Sequence, residues 1–168
     1  MPSNTEAGQI FLRIAELMSY REEGTFKIRA YYRAALTLCT LVKPLAEIDA
    51  RNELRELPGV GDAIASKIRE ILNTGTCALY ERLIRETPEE IRALLRVPGL
   101  TPRLVRLLET EFEVQSVEAL VEMVRSGGLE DLDGLEVKVE DAARILIAAE
   151  HLGALNAGVD AQRNRAAS

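Results

Sequence analysis

Residues 54–68 read LRELPGVGDAIASKI, two short amphipathic runs joined by a Pro-Gly-Val-Gly turn. Gly59 and Gly61 allow positive φ and put no Cβ in the path of a large anion. The peptide N–H groups from Gly61 to Ala63 fall on the unsatisfied, positive end of the helix expected to follow. Residue types in this order make an anion cradle. Val60 would plug down between the two runs and Ala65 would let them approach closely. Helical hairpins also use glycine merely to turn, so an isolated Gly-x-Gly says little. The flanking Leu54-x-x-Leu57-Pro58 and the later Ala65-x-x-Ile68 make this copy far more specific.

Other groups with chemical capacity read more plainly. Tyr31, Tyr32 and Tyr80 are able to stack on bases, yet at helical spacing such rings serve as half-buried packing residues. Arg103 and Arg106 either meet phosphates or form a solvated face. Lys67, one turn from Glu70, reads on its own as a solvated lysine. His151 reads as a helix-cap partner rather than a ligand. Cys39 and Cys77 lie far apart and His151 is the one histidine, which excludes a zinc site or disulfide framework and makes reduced, buried thiols the expectation. The carboxylates at 130, 131, 133, 136, 140 and 141 do not follow the ligand order of a calcium loop.

The elements that must position these groups are helical. Period-two alternation is nearly absent, so the expected fold is all-α. Ile10, Ile14, Leu17 and Met18 form one apolar stripe, and after a break at Glu23-Gly24-Thr25 a second runs through Phe26, Ala30, Ala34 and Leu38 until Pro44 closes it. Further runs are expected at 49–56, 62–73, 78–86, 88–96, 102–111, 117–126 and 139–152. The hairpin idea recurs with decay. LLRVPGLTPRLVRLL has Thr101 in place of the second glycine, and LEDLDGLEVKVEDAARIL has Asp133 and Glu136 where Pro58 and Gly61 stand in the first copy. This divides the chain into 1–86 with the first hairpin, 87–155 with the second and a degenerate third, and a polar, mobile tail at 156–168. That tail, ending RNRAAS, reads more like a natural end than a cut domain.

With 168 residues, 47% apolar, the chain is long enough to bury a core. No secretory leader pattern or run near 18 apolar residues is present, so a soluble, cytoplasmic protein without membrane contact is expected. The net charge of −6 disfavours indiscriminate nucleic-acid binding. Its distribution matters more: residues 1–56 and 57–111 each carry 8 basic and 8 acidic groups, and residues 112–168 carry 5 against 11. Counterion release depends on the contacted charges, so a locally neutral region still presents a phosphate-facing side. The acidic C-terminal third suits a solvated face or a basic protein partner.

The motif LPGVG with Ala65 and Ile68 resembles the helix-hairpin-helix, a binder of DNA backbone phosphates without sequence preference. FKIRAYYRAA followed by LRELPGVGDAIASKIREILNTG is similar to the N-terminal region of the family-X DNA polymerases, and the similarity extends over roughly residues 8–150. The resemblance implies a small lyase-like domain followed by a second hairpin segment. The chain stops where the palm would begin, and no strand bearing a paired Asp-x-Asp metal site is present, so nucleotidyl transfer is not expected.

In that family a lysine after the first hairpin forms a Schiff base with a 5′-deoxyribose phosphate, and the matching position is Lys67. Lys27, Tyr31 and Arg55 match positions that hold the 5′ phosphate. Ala63 departs from a phosphate-binding lysine, and Phe26 from a histidine carried by some members. The resemblance further implies K⁺ or Na⁺ at the hairpin, held by the carbonyls of Leu57 and Val60. The expected phosphate contacts are thus Gly59, Val60, Gly61, Ala63, Lys27, Tyr31 and Arg55 in the first domain, with Gly99 and Arg103 in the second. The leading expectation is a repair-linked protein recognising gapped, nicked or 5′-phosphorylated DNA by its backbone. The alternatives are a 5′-deoxyribose-phosphate lyase acting through Lys67 and a protein-interaction module that has lost DNA binding.

Overall fold

The computed structural model describes residues 1–127 together with Ile147 and His151. Among them no strand occurs, and the chain is built from α-helices, in agreement with the all-α expectation. It divides into two compact units, Met1–Thr87 and Pro88–Ser168. The third, degenerate hairpin expected at 129–152, the carboxylate cluster and the polar tail lie outside the described residues, apart from exposed positions 147 and 151.

The first unit starts with α1 (Asn4–Tyr20), opened by a capping box in which the Ser3 side chain accepts from the Glu6 N–H and the Glu6 carboxylate accepts from the Ser3 N–H. Its apolar face, with Ala7, Phe11, Ile14, Ala15 and Met18 buried, packs on α2 (Thr25–Thr40) through Tyr31, Ala34, Ala35 and Leu38. The helices come close at Gly8, where a Cβ would stand 2.5 Å from Cys39 Sγ and 3.2 Å from the Ala35 carbonyl oxygen. Cys39 itself is exposed, contrary to the expectation of two buried thiols; only Cys77 is buried. Phe26 also departs from its expected place in the second apolar stripe. It sits in the first turn of α2, ahead of the buried face that begins at Tyr31, and is 90% exposed.

After α2, which ends at Thr40 rather than at Pro44, Pro44 instead precedes α3 (Leu45–Ala50). The run expected at 49–56 is broken at Asn52, whose φ of 59° ends the helix, and a short 3-10 turn at Leu54–Glu56 follows. Helix α4 (Asp62–Thr74) buries Ile64, Ala65, Ile68, Ile71 and Leu72, and ends on left-handed Gly75. Helix α5 (Ala78–Glu86) starts with its Ala78 N–H donated to the Glu70 carboxylate at 3.0 Å. The second unit contains α6 (Glu89–Leu94), α7 (Pro102–Phe112) and α8 (Val117–Arg125), with a core that includes Ile91, Leu94, Val97, Val105, Leu108 and Leu120. Among the described residues, no helix is long and apolar enough to cross a membrane.

Candidate nucleic-acid interface

The first hairpin turns where proline and glycine dictate. The Val60 N–H closes on the Leu57 carbonyl at 3.1 Å, and Gly59 between them has φ +78°, the pattern of a turn with Pro second and Gly third. Helix α2 braces this turn twice. The Thr37 hydroxyl donates to the Pro58 carbonyl at 2.8 Å, and the Arg33 stem lies so close to Gly59 that a Cβ there would be 2.6 Å from Arg33 Cγ. Glycine at 59 is therefore required by both its φ and this contact. Val60 is buried as the expected plug, and Ala65 is buried behind it.

Gly61 behaves differently from its expectation. Its φ is −91°, extended backbone open to any residue, and a Cβ there would meet nothing within 4 Å. Its contribution lies in what it lacks. As the N-cap of α4 it offers no side-chain acceptor, and the first turn-closing bond is the Ala65 N–H to the Gly61 carbonyl at 2.8 Å. The N–H groups of Asp62, Ala63 and Ile64 are consequently, like that of Gly61 before them, without a hydrogen-bonding acceptor among the described residues, which extends the expected Gly61–Ala63 set by Ile64. They end a thirteen-residue helix whose dipole adds positive potential at the same point.

An open groove of about 860 Å³ runs past this helix start, lined by Phe26, Lys27 and Tyr31 of α2, Ala63 and Lys67 of α4, and Arg82 of α5, among others. The structure thus gathers six residues of the sequence-derived set, Lys27, Tyr31, Gly59, Gly61, Ala63 and Lys67. Lys67 Nζ donates to the Ala63 carbonyl of its own helix at 3.3 Å, and neither Lys27 nor Lys67 makes an ion pair among the described residues. Tyr31 is only 7% exposed and stacks on Phe11 with ring centroids 5.9 Å apart. Burial pushes its phenol above the ordinary value, so it stays protonated and able to donate. Arg55 is held at the hairpin mouth by Asp62, Nε to Oδ1 2.9 Å.

The groove lining also carries charges that sequence reasoning missed, at Glu23 and Arg82. Glu23 accepts from Arg21 and from Arg82 at 3.1 Å, and both arginines also reach the Glu86 carboxylate at 2.9 Å. The hydrogen bonds from Arg21 first, and then Arg82, hold the Glu23 carboxyl below its ordinary value. Residues 59 positions apart make this network, so no local signal announces it. Arg33 was missed for the same reason.

For the implied K⁺ or Na⁺, the carbonyl chemistry fits. The Leu57 oxygen accepts from the Val60 N–H and keeps a second lone pair, as the Pro58 oxygen does beside its bond from Thr37. The Leu57 and Val60 carbonyls remain as hard oxygen donors. No cluster of three or more His, Cys, Asp or Glu able to hold a metal occurs among the described residues.

The second hairpin repeats the turn in its own unit. Leu100 N–H closes on the Val97 carbonyl at 3.1 Å with Gly99 at φ +92° between them. The following helix begins with Thr101, whose side chain accepts from the Leu104 N–H at 3.2 Å, and with Pro102, which has no N–H. Of the first three residues of α7, only Arg103 keeps an N–H without an acceptor among the described residues, beside an exposed Arg103 side chain.

Comparison with known proteins agrees with this geometry. Residues 2–77 match the helix-hairpin-helix domain family. Over 128 residues, 76% of the chain, the sequence is 30% identical to the DNA polymerase/3′-5′ exonuclease PolX of Bacillus subtilis (strain 168). The chain spans 22% of that relative's length.

Proposed function

Since this chain carries a helix-hairpin-helix region like that of the family-X DNA polymerases, we propose that it binds DNA through backbone phosphates and recognises gapped, nicked or 5′-phosphorylated sites in repair. One observation carries the reading: the uncapped start of α4, with three open N–H groups, faces a groove that also presents Lys27 and Lys67. Backbone amides and simple cations contact phosphates and leave base edges unread, so the recognition is of DNA structure. Carbonyls of Leu57 and Val60 would hold a monovalent cation whose charge supports the same phosphate. The proposal concerns binding; the polymerase and exonuclease activities in the relative's name are not extended to this chain.

A second reading keeps the site and adds chemistry. Lys67 lies in the groove with Lys27 and Tyr31, where its amine would attack the aldehyde of a 5′-deoxyribose phosphate and form a Schiff base with loss of water. Ala63 leaves the position facing that amine without a second cation, which favours the binding reading over the lyase. Affinity for a short gapped duplex with and without a 5′ phosphate, over a salt series, tests the first reading. A log K against log salt slope near −0.9 per neutralised phosphate is expected, and a flat response, or preference among intact duplexes by sequence alone, would refute it.

A further inference from the structure

Asp62 is an awkward residue for a phosphate cradle. It is the first residue of α4, its side chain is 80% exposed, and it lines the groove beside the open N–H groups. It also holds Arg55, the cation nearest the hairpin mouth by sequence, whose side chain is 69% exposed. A phosphate seated on the N–H groups of Asp62, Ala63 and Ile64 must sit near this carboxylate and draw on an arginine already neutralised.

We propose that Asp62 is an internal competitor for the first hairpin, weakening it for any single phosphate and reserving stable binding for a strand that presents several phosphates at once. This rests on the DNA-binding reading. An exposed ion pair is weakly held, so Arg55 exchanges its carboxylate for a phosphate at little cost and the site is not blocked. Once Arg55 leaves, however, Asp62 faces the phosphate as a like charge, and at a separation of about 5 Å even water-screened repulsion matches thermal energy. A strand offsets that local penalty by reaching Lys27 and Lys67 as well, which make no ion pair among the described residues. Inorganic phosphate or a mononucleotide has only the one contact to set against it. Asp62 thus weakens both ligands, and only the strand's further contacts leave it stably bound.

The test compares the full chain with Asp62→Asn, Asp62→Ser, Arg55→Gln and the Arg55→Gln/Asp62→Asn double variant, each shown to be folded by far-UV circular dichroism. Fluorescence anisotropy follows a 5′-phosphorylated gapped duplex over a salt series, with inorganic phosphate as competitor. Both Asp62 variants are expected to bind about 3–10-fold tighter at low salt, with a slope steeper by about 0.9, as one more cation meets phosphate unneutralised. Inorganic phosphate should compete at lower concentration on them than on the parent chain. Arg55→Gln should weaken binding, and the double variant should recover most of that loss. If the parent chain binds DNA and neither Asp62 variant binds tighter, the competitor role is wrong while the DNA-binding reading stands. If neither the parent nor any variant binds DNA, both fall together.

Discussion

At residues 57–60 and again at 97–100 the chain makes the same turn, with Pro then positive-φ Gly and a 3.1 Å closing bond, yet the helices that follow begin differently. Helix α4 starts on Gly61, which caps nothing; α7 starts on Thr101 and Pro102, which between them use or remove two of its first three N–H groups. The apolar plug is equally buried in both, Val60 at 5% and Leu100 at 7%. Hairpin geometry and anion-binding capacity are therefore separable. The turn serves packing in both copies, and the residue after the plug decides whether the helix end is open to a ligand or closed by its own side chain.

The largest expected effect breaks the part the hairpins share. Gly59→Ala puts a side chain at φ +78° and against Arg33, so it should cost about 1–2 kcal/mol of stability in urea unfolding and lower DNA affinity with it. Gly61→Ala has no such strain and should leave stability much nearer the parent. Equal losses in the two variants would show that the turn is not where the constraint lies.

The next variant converts one hairpin into the other. Gly61→Thr should place a hydroxyl where Thr101 has one and cap the Ile64 N–H as Thr101 caps that of Leu104. Stability should change by only a few tenths of a kcal/mol, in the favourable direction or not at all. DNA affinity should fall by roughly 3–10-fold, because one charge-assisted donor is lost to the phosphate. Unchanged affinity would mean that the helix start is not the contact.

Much of this contrast is legible in the sequence. Leu-Pro-Gly-Val-Gly announces its turn because proline and glycine restrict backbone locally, and the bounds of α5 follow from its apolar period. Ser3-Asn4-Thr5-Glu6 is a local capping-box signal that marks the start of α1. The apolar period of Ala50, Leu54 and Leu57 continues across Asn52 and masks the break there, although asparagine is itself a residue that tolerates positive φ. Arg33 over Gly59 and Glu23 with Arg82 are tertiary meetings, and side-chain charge alone does not say which cations end up paired. Charge alone thus does not separate Lys27 and Lys67 from Arg82, and only the family resemblance picks the two lysines out.

The ion-paired and unpaired charges of the groove give a smaller, acid-dependent difference. Glu23 has its folded pKa lowered from the ordinary 4.5 by Arg21 and Arg82, so its contribution to stability is fully present above that value and is lost as pH falls through the lowered one. The melting temperature of the parent chain should therefore drop as pH is taken below about 4.5, and Glu23→Gln should show a shallower decline. Parallel curves would mean that the network adds nothing to stability. Among the described unpaired cations, Lys67→Ala should reduce the salt slope by about 0.9, the loss of one phosphate contact. Little or no borohydride trapping on a 5′-deoxyribose phosphate end is expected of the parent, and efficient trapping abolished by Lys67→Ala would put the lyase reading first.

The smallest effect should come from opening the second hairpin. Thr101→Gly frees the Leu104 N–H, but Pro102 still supplies no donor, so the helix presents two open N–H groups where α4 presents three. The cap loss should cost only a few tenths of a kcal/mol, since glycine is itself tolerated at an N-cap. Affinity for gapped DNA should move by less than about twofold, and Arg103→Ala should remove no more than one unit of salt slope. Combining Thr101→Gly with Pro102→Asp would reproduce the Gly61-Asp62 start, and with it a third open N–H. If that double variant rescues a chain weakened by Gly61→Thr, helix-start chemistry alone separates the two hairpins; if it does not, groove cations such as Lys27 and Lys67, rather than the N–H groups, set the first one apart.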